Sequence, residues 1–557
     1  MEDKNLINRI FTNGGMTLWF DHIEEQYLKH AEGRSTDFLL PIAYESAQHI
    51  YAHYYSEAFV FDWYKADRNL IVQLLHRLAG FDFADIDRDI IGHIYSGYVK
   101  SEHKHESGMY YTPITVVEYI LNRVGYNGAG VLGQSLLDPS CGSGAFLVSA
   151  CRRQIEVQLD YYRRSGKSKA DLSVEEIRQI LKSVKDSIFG LELNPFACYL
   201  AETNLLIQVL DLIKLAREKG GDVTLNRFNI FNTDTLRYEP ETRDRLRGMP
   251  FPAEELEEAE QIKSGLAKFA EGFDFVVGNP PYVKANEGAE GLLAYREEIK
   301  KDHPLPSVRN CLVMRWDLMI PFVALGVCLL RNETGKLAMI TSSAIEQVNY
   351  AAKLRDFLIE TCQIDEVSFF PKVKLFEDAA VENTIFIITK TEPSEMSQTL
   401  RLWHETKIGN VVKEEKISQQ TFGERVFRQT ISTNLYNDTT ELKSICYISF
   451  AMRLNSADGS DLKFEKDDLL SVVKDKTHQV TYIEGENITP YEVTGVKFLE
   501  YGVGLRAPDG IYRQTFPELY DRRKIMRGET SSAWLDNGTA IGSGWMFCNH
   551  SVILFAL

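Results

Sequence analysis

Long hydrophobic runs are missing from this chain. The longest apolar stretches, such as Met319 to Leu330, fall short of the roughly 20 residues that a membrane span requires, so no membrane partner is expected. The opening Met1-Glu2-Asp3-Lys4-Asn5 has neither the basic start nor the apolar core of a secretion signal. Paired cysteines are missing as well. Cys141, Cys151, Cys198, Cys311, Cys328, Cys362, Cys446 and Cys548 form no Cys-x-x-Cys, which argues against a metal knuckle or a disulfide framework and for a reducing cytoplasm.

Positive charge is scarce. The net charge of −17 weighs mildly against a polyanion partner, but an acidic block from Pro252 to Glu271, read as an amphipathic linker helix, inflates that total. Binding depends on where charge lies, so an acidic total can hide a basic cleft. Residues 1 to about 105 hold no convincing metal-dependent nuclease signature, an Asp followed by Glu-x-Lys after a strand, and His103 and His105 read as solvated loop residues. No metal is expected. With 44% hydrophobic and 25% charged residues over 557 positions, the composition is that of a globular protein with room for three to four domains.

What is present is organised around Asp274-Phe275-Val276-Val277-Gly278-Asn279-Pro280-Pro281-Tyr282. Three apolar residues, Phe275 to Val277, running into glycine read as a buried parallel strand reaching its carboxyl end. Two prolines then forbid helix and ladder alike, leaving Asn279 and Tyr282 on a stiff turn. Ligands of open α/β sheets bind at that position. A side-chain amide there suits an exocyclic amine, and an aromatic ring suits a flat heterocycle. In isolation the tetrapeptide is equally well a rigid loop without chemistry.

Three further strand ends precede it. Ser135–Leu137 ends in Asp138 and the small-residue turn Pro139-Ser140-Cys141-Gly142-Ser143-Gly144, before a helix from Ala145 and Phe146. A strand, an acid and a helix N-terminus offered to a ligand are the plan. This turn has no Gly-x-Gly-x-x-Gly and is followed by no Gly-Lys-Ser/Thr, so neither a dinucleotide nor a polyphosphate fits it, whereas a cationic or donor-bearing ligand does. Ser187–Leu191 repeats the plan with Glu192, a carboxylate placed to accept from ribose hydroxyls. Phe228 to Asp234 supplies a third acid. Upstream, Tyr110-Tyr111-Thr112-Pro113 opens an apolar helix, with Thr112 in an N-cap role and Pro113 at the first helical position.

Downstream, residues 284–309 read as a mobile segment, then a helix runs from about Trp316 to Leu330. Strands follow at Lys336–Thr341, Glu366–Phe370 and Asn383–Thr389. The first five strands alternate with helices and should be parallel, and the last two lie too close together for a helix and should pair antiparallel. Residues 396–435 read as a polar connector. The terminal run Ser551–Leu557 is either a core strand or the mark of an incomplete domain.

In order and spacing, Tyr110–Pro113, Asp138–Phe146, Gly190–Pro195 and Asn279–Tyr282 resemble the amino-type adenine DNA methyltransferases of the gamma arrangement, which include type I methylation subunits, type IIG restriction-modification enzymes and phage-defence methylases. The likeness covers 105–390 strongly and 435–557 more weakly. It implies an α/β fold: a seven-stranded, Rossmann-like methyltransferase domain (106–395) between an N-terminal helical domain (1–105) and, after the connector, a mixed α/β target-recognition domain (436–557). S-adenosylmethionine is the implied cofactor. Thr112 and the loop of Asp138, Pro139, Cys141, Gly142 and Gly144, with Phe146, would hold its methionine half, Glu192 its ribose and Asp234 its adenine amine. Asn279 and the Pro280 carbonyl would accept the protons of a flipped-out adenine amine, which Tyr282 and Phe376 would sandwich. Duplex DNA is the implied partner, contacted by Arg522, Arg523, Lys524 and Arg527, with a specificity, nuclease or other defence subunit as a candidate associate. Protein-glutamine and RNA methylases share Asn-Pro-Pro-Tyr, but they lack Tyr-Tyr-Thr-Pro and a large C-terminal domain. A silent DNA-binding subunit is disfavoured by the presence of every catalytic residue type.

Overall fold

In the computed structural model the described residues are Ala47, Arg77, 111–225, 227–237, 271–283, 292–313, 316–371, 373–376, 382–419 and parts of 447–556. The expected helical domain, His103, His105, Tyr110 and almost all of the acidic block lie outside them. The chain divides into two compact units, Met1–Gln429 and Thr430–Leu557.

The first unit is built on a nine-stranded sheet. In chain order its elements are α1 (Ile114–Arg123), β1 (Leu136–Asp138), α2 (Ala145–Arg164), α3 (Val174–Ser187), β2 (Ile188–Glu192), α4 (Pro195–Glu218), β3 (Asn229–Asn232) and β4 (Phe275–Gly278). Then come α5 (Leu292–Asp302), α6 (Pro306–Cys311), α7 (Met319–Leu329), β5 (Lys336–Ser342), α8 (Ala352–Thr361), β6 (Gln363–Phe369), β7 (Asn383–Thr389), β8 (Gln398–His404) and β9 (Val411–Ser418).

The strand order is β3-β2-β1-β4-β5-β7-β6-β8-β9. Strands β1 to β5 pair parallel, and β7 is antiparallel to both β5 and β6, as the alternation of strands and helices implied. The chain winds outward from β1 through β2 to β3, then returns to β4 on the other side of β1. That reversal opens a crevice at the carboxyl ends of β1 and β4.

Both sheet faces are covered, which is why the central strands are apolar throughout rather than alternating. Val277, Ala338, Ile340, Ile385 and Ile387 pack on one face with residues of α1 to α4, such as Val117, Leu147, Ile180 and Leu205. Val276, Leu337, Met339, Phe386 and Ile388 pack on the other with α6 to α8, for example Val308, Val323 and Leu358. Neighbouring residues of one strand thus serve two cores. By length and composition α4 passes as a membrane span, and 67% of its apolar window is buried in the fold. Among the described residues it is longer than the apolar helix Met319–Leu329, and it is a core helix.

Two expectations for this unit are corrected. The stretch read as a polar connector contains β8 and β9, which extend the sheet from seven strands to nine. Polar residues enter the layer through ring contacts: the Arg401 guanidinium lies 5.5 Å from the Phe369 ring and 5.2 Å from Trp403, and His404 stacks on Phe370 at 4.5 Å. The segment read as mobile holds α5 and α6, with Arg296, Ile299, Val308 and Cys311 buried.

Among its described residues, the second unit consists of strands and one 3-10 turn, Lys466–Leu469, so the helical part of the expected mixed domain is not seen in them. Its sheets run β10-β21-β18-β19 and β12-β16-β13-β20, with two-stranded pairs β11-β17 and β14-β15. Here β10 is Tyr447–Phe450, β11 Arg453–Ser456, β12 Leu470–Ser471, β13 His478–Ile483, β14 Ile488–Thr489, β15 Glu492–Val493 and β16 Lys497–Glu500. The last five are β17 (Ile511–Arg513), β18 (Lys524–Gly528), β19 (Trp534–Asp536), β20 (Met546–Cys548) and β21 (Val552–Ala556). The apolar β21 is paired on both sides, by β10 and β18. Glu484 is 4% exposed and bound by Lys466 and by Lys497 at 2.8 Å.

Candidate active site at the carboxyl edge of the sheet

Because β1 to β5 are parallel, their carboxyl ends meet at one edge, which gathers Asp138, Glu192, Asp234 and Asn279 from distant parts of the sequence. Asp138 is 1% exposed and accepts from the Ser140 amide at 3.0 Å. Burial, with the Glu192 charge adding to it against that amide, pushes its carboxyl up to about 8. Glu192 ties the glycine turn to the second strand end, accepting from the Gly142 amide at 2.9 Å and the Asn194 amide at 2.8 Å. Burial raises this carboxyl also. Gly144, at φ +90, turns the chain into α2, and a Cβ there would meet Ala201 at 3.1 Å.

The rest of the loop is structural. The Pro139 carbonyl accepts from Thr235 Oγ1 at 2.7 Å. Cys141 is buried, and burial drives its thiol well above the ordinary range, so it is no nucleophile. Phe146, 2% exposed, is a core residue of α2. Acids at three adjacent strand ends, one of them poised to ionise against a cation, suit a ligand that carries positive charge, hydroxyls and an amine. The residues present therefore fit S-adenosylmethionine.

Asn279 adjoins this cluster directly. Gly278 makes that possible, because a Cβ there would stand 2.9 Å from Asp138 Oδ1, and Ser140 Oγ donates to the Asn279 carbonyl at 3.4 Å. The Asn279 side chain is oriented at both ends. Its Nδ2 donates to Thr112 Oγ1 at 3.1 Å and its Oδ1 accepts from the Tyr282 hydroxyl. That hydroxyl also faces the Ile340 carbonyl at 2.9 Å. Enclosure of the hydroxyl, with Asp317 nearby, raises it well above its usual value, while the ring is half-buried against the α6-to-α8 core. Pro280 is buried beside it.

Thr112 does not cap the helix. The N-cap position of α1 is Pro113, without a side-chain bond, and its carbonyl receives the Val116 and Val117 amides at 2.9 and 3.1 Å. Pro113 stands one place before the first helical residue. The hydroxyl of Thr112, 7% exposed, is thereby left to Asn279. The helix itself is anchored from its middle: Tyr119 Oη bonds Glu366 Oε1 at 3.2 Å and Ser368 Oγ at 2.9 Å, and Arg123 pairs with Glu366.

The remaining assignments stand differently. Asp234 accepts from the Tyr295 hydroxyl at 2.9 Å and lies 3.5 Å from Arg237. Sequence reasoning missed Tyr295, since it treated 284–309 as structureless, and the helical spacing of Leu292, Tyr295 and Ile299 was the available signal. Phe376 is 4% exposed and packed in the core shared by α1 to α4, on the sheet face opposite Tyr282. Arg522 and Arg523 lie outside the described residues. Lys524 and Arg527 fall on strand β18.

Comparison with known proteins follows the same geometry. Residues 186–376, from the end of α3 to Phe376, match the family described as Eco57I restriction-modification methylase. The Type II methyltransferase M.BstVI of Geobacillus stearothermophilus is 25% identical over 313 residues, covering 56% of this chain and 46% of the relative. The Type II restriction enzyme and methyltransferase RM.Eco57I of Escherichia coli is 23% identical over 356 residues, covering 58% of this chain and 33% of the relative. The chain thus matches less than half the length of either. Among solved structures, the Type IIL restriction-modification enzyme MmeI in complex with DNA superposes with a TM-score of 0.57 at 15% identity, over 88% of this chain and 68% of that one. It shares the fold.

Proposed function

We propose that this chain, which belongs through residues 186–376 to the Eco57I restriction-modification methylase family, methylates N6 of adenine at a specific site in duplex DNA, as the cytoplasmic modification component of a restriction or phage-defence system. The observation that carries the reading is the Asn279 amide, held between Thr112 and Tyr282 at the sheet's switch point and adjoining the Asp138 pocket.

S-adenosylmethionine, when bound, supplies an electrophilic methyl group on a sulfonium. Asp138 and Glu192, with the glycine turn between them, would hold the cationic and hydroxyl-bearing parts of such a molecule, and Asp234 would accept from its amine. At the other end the task is to make a poor nucleophile react, because the lone pair of the adenine amine is delocalised into its ring. An amide oxygen has two lone pairs. Tyr282 occupies one on Asn279 Oδ1, and the second accepts an amine proton. The Pro280 carbonyl accepts the other proton, so the nitrogen lone pair localises for in-line attack. Both acceptors sit on a proline-stiffened turn, so the chemistry is positioning and electrostatics, with no covalent enzyme intermediate. Since the amine is inaccessible in a duplex, the base is extruded onto the Tyr282 ring. The resemblance assigns the second stacking ring to Phe376, which lies buried on the sheet face opposite Tyr282.

The test is an incubation with methyl-labelled S-adenosylmethionine and either duplex DNA, RNA or cell protein, followed by digestion to monomers. Label in N6-methyladenine that disappears with Asn279→Ala is the expected result. Label in glutamine or RNA overturns the substrate assignment, and binding of DNA without any transfer overturns the enzymatic one.

A further inference from the structure

Tyr295 and Arg296 are consecutive on α5, and they reach opposite ends of the site. The Tyr295 hydroxyl donates to Asp234 Oδ1 at 2.9 Å. Arg237 lies over the Tyr295 ring at 5.2 Å and reaches Glu298, on the same helix, at 2.6 Å. Burial, reinforced by the Asp234 charge, holds the phenol far above its ordinary value, so the proton stays on tyrosine and the bond keeps one polarity. Arg296 is 4% exposed and points the other way. Its Nη2 donates to the Val283 carbonyl and its Nη1 to the Trp316 carbonyl, each at 2.5 Å, with the guanidinium 5.2 Å from the Trp316 ring.

Val283 is the residue after Asn-Pro-Pro-Tyr, and its carbonyl also receives the Leu318 amide at 3.2 Å. A buried guanidinium that loses a carbonyl is left short of an acceptor in a poorly solvating place, so this tie is stiff. Adjacent residues of an 11-residue helix thus grip the third strand's acid and the loop that presents Asn279. A helix of that length moves as a rigid body, and a displacement at Tyr295 reaches Val283 through Arg296.

Resting on the cofactor reading above, we infer that Tyr295 is a positioning residue that couples occupancy of the Asp234 subsite to the order of the Asn279–Tyr282 loop. A ligand amine at Asp234 fixes the carboxylate, which fixes Tyr295, α5 and the loop anchor. Coupling is reciprocal, so an ordered loop also raises affinity at Asp234. Cofactor and target base therefore each favour the other's binding.

Hydrogen exchange in peptides spanning 274–283, with and without saturating S-adenosylhomocysteine, reads this directly and needs no knowledge of the DNA site. In the wild-type protein the ligand should slow loop exchange by about fivefold or more, the lower end of ordinary coupling. Tyr295→Phe should bind S-adenosylhomocysteine about twofold to tenfold more weakly, the loss of one hydrogen bond, and at saturation should leave loop exchange nearly unslowed. A purely structural role would weaken binding without abolishing the response of a saturated loop. Equal slowing in saturated Tyr295→Phe overturns the inference. Should that variant misfold, Arg237→Ala, at a half-exposed side chain, carries the test: intermediate slowing supports the coupling and wild-type slowing refutes it. A wild-type protein that binds no S-adenosylhomocysteine overturns the cofactor reading and the inference together, whereas normal binding with an unaltered variant response overturns the inference alone.

Discussion

Thr112 accepts a hydrogen bond from the Asn279 side chain across 167 residues of sequence. The contact joins the residue before the N-cap of α1 to the loop after the fourth strand, and it fixes which end of the amide faces Tyr282. Thr112→Val keeps the shape and removes the acceptor. Its kcat should fall about tenfold, the effect of one hydrogen bond of roughly 1.4 kcal/mol, with affinity for S-adenosylhomocysteine unchanged within about twofold. Thr112→Ser should restore most of the rate. Parallel loss of affinity and rate in Thr112→Val would show that the hydroxyl serves the cofactor instead.

Asn279→Ala should abolish detectable methyl transfer while calorimetry shows cofactor binding nearly intact, because the amide faces the target amine. Near-normal turnover in this variant would sink the assignment of Asn279. Tyr282→Phe should be much milder than Tyr282→Ala, since it keeps the half-buried ring and frees one lone pair of Asn279.

Asp138 gives a pH dependence whose sign can be worked out. Its folded value, pushed up to about 8, lies above the roughly 3.9 of an exposed aspartate. The folded protein therefore holds this proton more tightly than the unfolded chain does. The stability it contributes is fully present below pH ~4 and is lost as pH rises towards 8. A cationic ligand prefers the ionised carboxylate, so affinity for S-adenosylmethionine should climb between pH 6 and 8 and level off above. Titration calorimetry across that window should show a flattened profile for Asp138→Asn. The same slope in the variant would place the titrating group elsewhere.

Strand β18 carries Lys524 and Arg527. If this strand contacts DNA, Lys524→Ala and Arg527→Ala should each flatten the salt dependence of duplex binding, by about one phosphate contact. Neither slope shifting would remove β18 from the interface.

The catalytic motif and the acids at the strand ends were legible because each depends on local grammar: an apolar run, a breaker, then a polar residue with one job. Parallel pairing was legible from alternation alone. Three things were not. Thr112 followed by Pro113 satisfies a helix start as well as a site contact, and only the fold shows that its hydroxyl turns to Asn279. Strands β8 and β9 carry Arg401, His404, Lys413 and Lys416 where an apolar run would announce a strand. Arg401 and His404 are buried against rings, Arg401 5.2 Å from Trp403 and His404 4.5 Å from Phe370, which no periodicity displays. Helix α5 is short and charged, with Arg296 facing inward, the opposite of what charge suggests about exposure.

The polar anchor of α1 has a consequence for synthesis. Tyr119 meets His404 Nε2 at 3.2 Å, 285 positions later in the chain. The His404 Nδ1 receives the Gly409 amide at 3.1 Å, so its proton sits on Nε2, and burial, with Arg123 adding to it, lowers the ring to about 4 and keeps it neutral. On the ribosome, the helix that delivers Thr112 is made long before the strand that secures it. A nascent chain that has already exposed Asn-Pro-Pro-Tyr still lacks the far half of this latch, and contacts of such long range are the last to form. If the chain methylates DNA as proposed, competence should thus arrive only when residue 404 clears the exit tunnel, well after Asn279 and Tyr282 have been translated.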